Sequence, residues 1–268
     1  MPAALWALAA AAALAAETGC RAAGGLADPA TAAAVRLAVG ALGVCPAMSL
    51  LGAKRPQHGV WQFIVAALAV VIALPAAAST FVRPGTMPDV GVLGRWFLVG
   101  LVAVGWMNFA ATRRGVAATL VASGQALLIR HFLPFASSAP DPGAAWLDAT
   151  GACLVAAGAV VAAAQTVLER PPASLVPEID RPFAALRDTL GAAWALRLVE
   201  RFNAVASERG WPCRLGFRGL EPATAADGPW RPAADRAFRA LARRFATADW
   251  LRRHGESDVP MAPTADGR

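Results

Sequence analysis

Five ionisable side chains stand inside or at the edge of otherwise apolar runs: Arg36, Arg95, Arg130, His131 and Asp148. Charge is costly in hydrocarbon, so such residues usually face protein or water and mark a place where something charged is held. Arg36, Arg95, Arg130 and Asp148 would together make a cationic vestibule with one acid, suited to an anionic group near a membrane face. The competing expectation is that each lies within about two turns of a helix end and reaches back to the headgroups. Arg130 and Asp148 form the one opposite-charge pair whose connection is short enough to make them neighbours. A guanidinium fork can hold a carboxylate with two bonds, so this pair is expected either to clasp two helices or to separate toward lipid.

A second cationic set, Lys54, Arg55, His58, Arg113 and Arg114, falls in two short breaks between apolar runs. At a cytoplasmic face each such residue gains about 1 kcal/mol from anionic lipid. The set therefore reads as a topology determinant, or as a dock for anionic headgroups or for acids such as Asp188 and Glu200. No catalytic motif accompanies either cluster: the sequence lacks G-x-S-x-G, a phosphate-binding loop, a dinucleotide fingerprint, H-E-x-x-H and an EF-hand loop. His58, His131 and His254 are isolated, and Cys20, Cys45, Cys153 and Cys213 are far apart, so neither a metal site nor a disulfide framework is indicated. No catalytic residue, metal or cofactor is assigned.

The elements that must position these residues are apolar helices. Of 268 residues 57% are hydrophobic, more than a soluble domain of this size normally hides. The apolar residues gather before residue 168 into runs near the roughly 20 residues that cross a bilayer. Six spans are expected: 1–16, 31–53, 60–79, 90–112, 115–136 and 144–167. The first is short, ends at Glu17 and has a cleaved signal as its rival, although no positive charge precedes it. Pro46 and Pro75 are expected to kink their helices without breaking them. Trp61, Trp96, Trp106 and Trp146 fall near span ends, as interfacial aromatics do. Small-xxx-small spacings such as Gly43 to Ala47 are expected by chance in sequence so rich in alanine.

Six spans put both termini on one side. Lys54, Arg55, Arg113, Arg114 and Arg170 then cluster in short loops on the side of the termini, which is expected to be cytoplasmic. The net charge of +7 gives no case for nucleic acid. It is shared between the halves, with 9 basic residues against 5 acids up to residue 168 and 16 against 13 from residue 169 on. Only one of the basic residues is lysine and tyrosine is absent, the mark of a GC-rich coding bias.

After Arg170-Pro171-Pro172 the composition turns to mixed charge. From Asp180, read as an N-cap, apolar residues recur at Phe183, Leu186, Leu190, Trp194, Leu198, Phe202 and Val205, with Arg187, Asp188, Arg201 and Glu208 off the stripe. One helix is expected over 180–209, one short strand within Trp211–Leu220, a second helix over 232–246, and a last turn capped by Thr247.

The segment Cys45-Pro46 through Leu51-Gly52-Ala53-Lys54-Arg55-Pro56-Gln57-His58 to Trp61-Gln62-Phe63 resembles one found in multi-span bacterial membrane proteins. Glu208-Arg209-Gly210-Trp211-Pro212 is similar to a stretch of the same group, while Gly59 departs from it where a larger polar residue is expected. The resemblance covers a small part of the chain. It implies a multi-span membrane protein and no known activity.

The sequence thus leads to an all-α membrane protein: a bundle of about six transmembrane helices over 1–168, a linker over 169–179, a small, mostly helical polar C-terminal domain over 180–255 and a disordered tail over 256–268. The expected place is the cell membrane and the expected companions are membrane lipid and, through the C-terminal domain, a protein partner or a second copy. The expected role is structural or interactive rather than enzymatic. The alternative is a small transporter or lipid-handling protein for an anionic ligand.

Overall fold

The computed structural model describes residues 2–51, 59–135, 144–168, 177–221 and 228–255. Lys54, Arg55 and His58, most of the expected linker and the expected tail lie outside the described residues. The chain divides into two compact units, Met1–Glu169 with Leu190–Ala193, and Arg170–Thr189 with Trp194–Arg268.

The first unit is helical for a physical reason: hydrocarbon offers no partner to a backbone N–H or C=O, and a helix satisfies both within the segment. Its helices are α1 (Pro2–Ala22), α2 (Pro29–Leu51), α3 (Gly59–Ala77), α4 (Gly91–Ala110), α5 (Gly115–Leu128) and α6 (Ala144–Leu168). Five of them, α5 being the exception, are long and apolar enough to cross a membrane.

The expected boundaries shift in two places that matter. α1 does not stop at Glu17 but continues to Ala22, because Glu17 is buried within the bundle rather than set at its edge. The expected fifth span, 115–136, holds a helix of only 14 residues, about 21 Å long against a hydrocarbon core of about 30 Å, followed by a 3₁₀ turn at Arg130–Phe132.

α2 is the centre of this unit. Leu37, Ala41 and Val44 pack with Ile72 and Ala76 of α3, Leu98 of α4, and Ile129 and Phe132 after α5. Pro46 and Pro75 lie inside α2 and α3 without ending them. Beyond Pro75 the helix widens into a π turn, Ala78–Val82, where the Ser79 and Thr80 hydroxyls both donate to the Ala76 carbonyl at 2.9 Å.

α5 is held by close approach to α6, and here glycine is required. A β-carbon on Gly124 would meet the Gly151 carbonyl oxygen at 2.6 Å, and one on Gly158 would meet the Ala117 carbonyl oxygen at 2.9 Å. Gly151 against Leu128 and Gly158 against Val121 make the two helices antiparallel. Small residues let backbones approach where lipid supplies no hydrophobic push.

The second unit corrects the expectation of one long helix. α7 (Pro177–Leu190) and α8 (Ala192–Glu208) are separated at Gly191, whose φ of +89° no ordinary helix contains. Asp180 does not cap a helix start; it lies in the first turn of α7 and its carboxylate accepts a hydrogen bond from the Leu220 backbone N–H at 2.7 Å. The expected single strand is a hairpin of two three-residue strands, β1 (Arg214–Gly216) and β2 (Gly219–Glu221), paired antiparallel with Leu215 opposite Leu220. α9 (Arg231–Ala242) and α10 (Ala248–Gly255) follow, and the Thr247 hydroxyl accepts from the Trp250 backbone N–H at 3.2 Å.

The apolar stripe itself is as expected: Phe183, Leu190, Trp194, Leu198 and Phe202 are all buried. Phe202 meets the Phe238 ring edge-on at 6.4 Å between centroids, and Trp194 meets Phe245 at 5.1 Å. Asn203 ties α8 to the hairpin with two bonds, donating to the Leu215 carbonyl at 2.9 Å and accepting from its N–H at 2.7 Å. Arg187 and Asp188, expected off the stripe, are buried as a 2.9 Å ion pair. A buried charge stays charged only when it is paired, and the Arg187 guanidinium also donates to the Phe217 carbonyl at 3.0 Å.

Two outcomes follow for this unit. Phe202→Ala should cost about 3–5 kcal/mol, whereas Leu196→Ala, on the same helix but 53% exposed, should cost less than about 0.5 kcal/mol. Trypsin susceptibility of the C-terminal arginines in the intact protein reads the difference, and equal susceptibility of the two variants would refute the packing. Burial raises the Glu178 carboxyl, but the hydrogen bond and charge of Arg231 outweigh it and hold the group below its ordinary value of 4.5. That contribution is present above pH 4.5 and disappears as pH falls through the lowered value, so acid should loosen this unit in the wild type more than in Glu178→Gln.

Candidate functional site

Four segments of the first unit bring charged groups to one end of the bundle: the end of α1, the start of α2, the turn after α5 and the start of α6. The antiparallel order of α1–α2 and α5–α6 puts these four ends together. Glu17 comes from α1, one turn before Arg21. Arg36 stands on the eighth residue of α2, roughly 10 Å along its axis. Arg130 opens the 3₁₀ turn, and Asp148 lies in the second turn of α6.

The five side chains form one ionic cluster. Glu17 Oε1 accepts from Arg36 Nε at 2.5 Å and from Arg21 Nε at 2.9 Å. Asp148 Oδ1 accepts from Arg130 Nη1 and lies 3.2 Å from Arg36 Nη1, while Asp148 Oδ2 lies 3.5 Å from Arg21 Nη1. Arg36 and Arg21 each touch both acids, so no pair is separate from the rest. Backbone carbonyls complete two of the cations: Arg21 Nη2 donates to Ala32 at 3.2 Å and Arg130 Nη1 to Leu127 at 2.9 Å.

Burial divides the cluster. The Glu17 side chain is fully buried and that of Arg36 is 5% exposed, whereas Arg21 is 32% exposed. Arg36 and Glu17 are therefore the pair whose separation would cost most, since an ion removed from water keeps its charge only against a partner. Three guanidinium groups face two carboxylates, which leaves a single positive charge at the more open side of the cluster. Chemically the arrangement clamps helices. Each carboxylate is engaged by arginine through at least one oxygen, while Glu17 Oε2 is buried without a hydrogen-bond partner among the described residues.

The expected pair of Arg130 and Asp148 is formed, and Arg36 joins it. Arg95, in α4, is half-buried and makes no ion pair among the described residues, so the vestibule of four expected residues is a cluster of three of them with Glu17 and Arg21 added. His131 is exposed beside Arg130. Of the second cationic set, Arg113 is exposed and its carbonyl accepts from Gln165 Nε2 at 3.0 Å, while Arg114 is half-buried at the start of α5. Lys54, Arg55 and His58 lie outside the described residues. Among the described residues no group of His, Cys, Asp and Glu is arranged to hold a metal ion.

Two residues of the cluster escaped sequence reasoning, Arg21 and, more deeply buried, Glu17. Taken as the polar limit of a short apolar run, Glu17 was placed outside the helix. The signal was there in the spacing Glu17 to Arg21, which sets an acid and a base on one face of a continuing helix.

Compared with known proteins, the chain matches no family model, no curated protein and no solved structure. The fold is that of an all-α membrane protein.

Glu17→Gln should lower stability by about 3–5 kcal/mol by leaving Arg36 buried against an uncharged partner. The double replacement Glu17→Leu with Arg36→Met should recover most of that loss, and Arg21→Gln should cost much less than Glu17→Gln. Thermal denaturation of the purified protein in detergent measures all three; a double variant no more stable than Glu17→Gln would remove the clasp.

Proposed function

We propose that this protein is a membrane anchor for an interaction domain: the helical bundle fixes the chain in the cell membrane, and the small C-terminal domain meets a protein partner or a second copy on the cytoplasmic side. The observation that carries the reading is the basic surface of that domain. Residues 228–255 contain seven arginines and two acids, and Arg236, Arg243, Arg244 and Arg253 are exposed. Meanwhile its aromatic side chains Phe183, Phe202 and Phe238 are fully buried, so the domain presents charge rather than an apolar face. A face of this kind recruits acidic surfaces, with its effect mainly on encounter rate and specificity.

The second reading, a small transporter or lipid-handling protein built on Arg36, Arg95, Arg130 and Asp148, has less support. Three of those four residues are engaged with one another and with Glu17, and a substrate anion would have to compete with two carboxylates already in place.

Crosslinking of the full chain in native membranes tests the first reading. The expected result is a defined adduct, to one partner or to a second copy, that is lost at raised salt and in Arg236→Glu/Arg243→Glu/Arg244→Glu while the protein remains membrane-inserted. An adduct indifferent to that charge reversal, or no adduct at all, would refute it.

A further inference from the structure

Beside the ionic cluster the bundle contains a cavity of about 380 Å³, within the roughly 300–1,000 Å³ range of ligand pockets. It is walled by α1, α2, α4, α5 and α6, and its lining is dominated by small and apolar side chains such as Ala10, Val39, Ala47, Trp106, Ala118 and Ala122. The void has a structural cause. α5 is drawn against α6 through Gly124, Gly151 and Gly158, and the alanine and glycine faces of α1 and α2 are too short to fill the space left on its other side.

The polar groups on this lining are distributed by depth. Arg36 stands at one end, committed to Glu17 and Asp148. Gln125 lies between, its amide donating to the Gly43 carbonyl at 2.7 Å. Arg114 stands at the opposite end, at the start of α5, where the helix N-terminus adds its own partial positive charge. Among the described residues Arg114 Nε is buried without a hydrogen-bond partner, and so is Oε1 of Gln165, whose amide nitrogen is bonded to the neighbouring Arg113 carbonyl. The cavity is thus apolar along its length and cationic at the mouth beside Arg114.

We infer that this cavity holds one acyl chain of an anionic phospholipid, with the phosphate at the Arg114 mouth. The inference is independent of any partner of the C-terminal domain. Length permits it: the lining follows α5 from Arg114 to Ile129, about 22 Å, more than the roughly 15 Å that the hydrocarbon of one leaflet spans. Chemistry agrees as well. A free anion would gain nothing from apolar walls, and a hydrophobic chain alone would gain nothing from Arg114; a phospholipid with net negative charge uses both. The guanidinium provides the fork that phosphate oxygens accept from, and the positive end of the α5 dipole adds to the attraction.

The experiment uses the full-length protein in phosphatidylcholine vesicles containing a trace of either phosphatidylglycerol or phosphatidylcholine that carries a photoactivatable diazirine in one acyl chain. Adducts are mapped by peptide mass spectrometry. The expected result is that phosphatidylglycerol adducts concentrate on the cavity segments of α2, α4 and α5, several-fold above those from phosphatidylcholine. Arg114→Gln should bring the two probes to the same yield, and Arg114→Lys should keep part of the preference. Ala122→Leu, which fills the cavity, should lower cavity adducts from both probes. Adducts spread evenly over exposed outer positions such as Val92 and Leu93, or equal yields from the two probes in the wild type, would overturn the inference without any appeal to the variants. So would loss of cavity labelling through a chain-to-chain contact, which would make a second copy the occupant.

Discussion

The arrangement of the bundle rests on the contact between Arg36 and Glu17. A carboxylate that is fully buried and a guanidinium that is 5% exposed cannot be placed in a medium of low dielectric separately. Each therefore dictates where the other's helix must lie. The same requirement extends through the shared oxygens of Asp148 to Arg130 and Arg21, so that α1, α2, the turn after α5 and α6 are joined at one end by a single charge network. In water such contacts would be worth little, because exposed ion pairs are screened. Inside a helical bundle the penalty for a missing partner is what makes them decisive.

At the other side of the same helices the packing follows van der Waals logic. α5 is too short to cross a bilayer, and it is kept in place by glycine contacts with α6 and by the Gln125 bond to α2. Close packing on one face leaves space on the other, since a helix lined with alanine cannot fill a gap that its neighbour has vacated. The cavity is thus a consequence of how α5 is held, and the charge at its mouth is a consequence of where α5 begins.

The C-terminal unit is built differently, its helices carrying mixed charge around one apolar stripe. There the apolar stripe of α8 supplies the driving force, and polar groups are spent on register: Asn203 fixes the hairpin, Asp180 meets β2, and Arg187 with Asp188 fills an interior position that an aliphatic pair could also have occupied. Arginine is frequent among its exposed residues, which is why its function is sought in contact with acidic material.

Fold class and the positions of four of the six expected spans were legible in the sequence, because the length of an apolar run is set by bilayer thickness; where α1 ends and how short α5 is were not. The helical stripe from Phe183 to Phe202 was legible for a similar reason, since 3.6-residue periodicity is local. The pairing of Arg130 with Asp148 could be anticipated from a short connection and opposite charge. Tertiary structure alone decided that Glu17 belongs inside the bundle: a carboxylate ends a helix or is buried in one according to whether Arg36 of another helix reaches it. It also decided that Gly191 breaks α7 from α8, that Arg187 and Asp188 are interior, and that the glycines of α5 and α6 face one another. Each of these depends on a distance between residues far apart in the chain, and a pattern of residue types carries no information about that distance until the helices are packed.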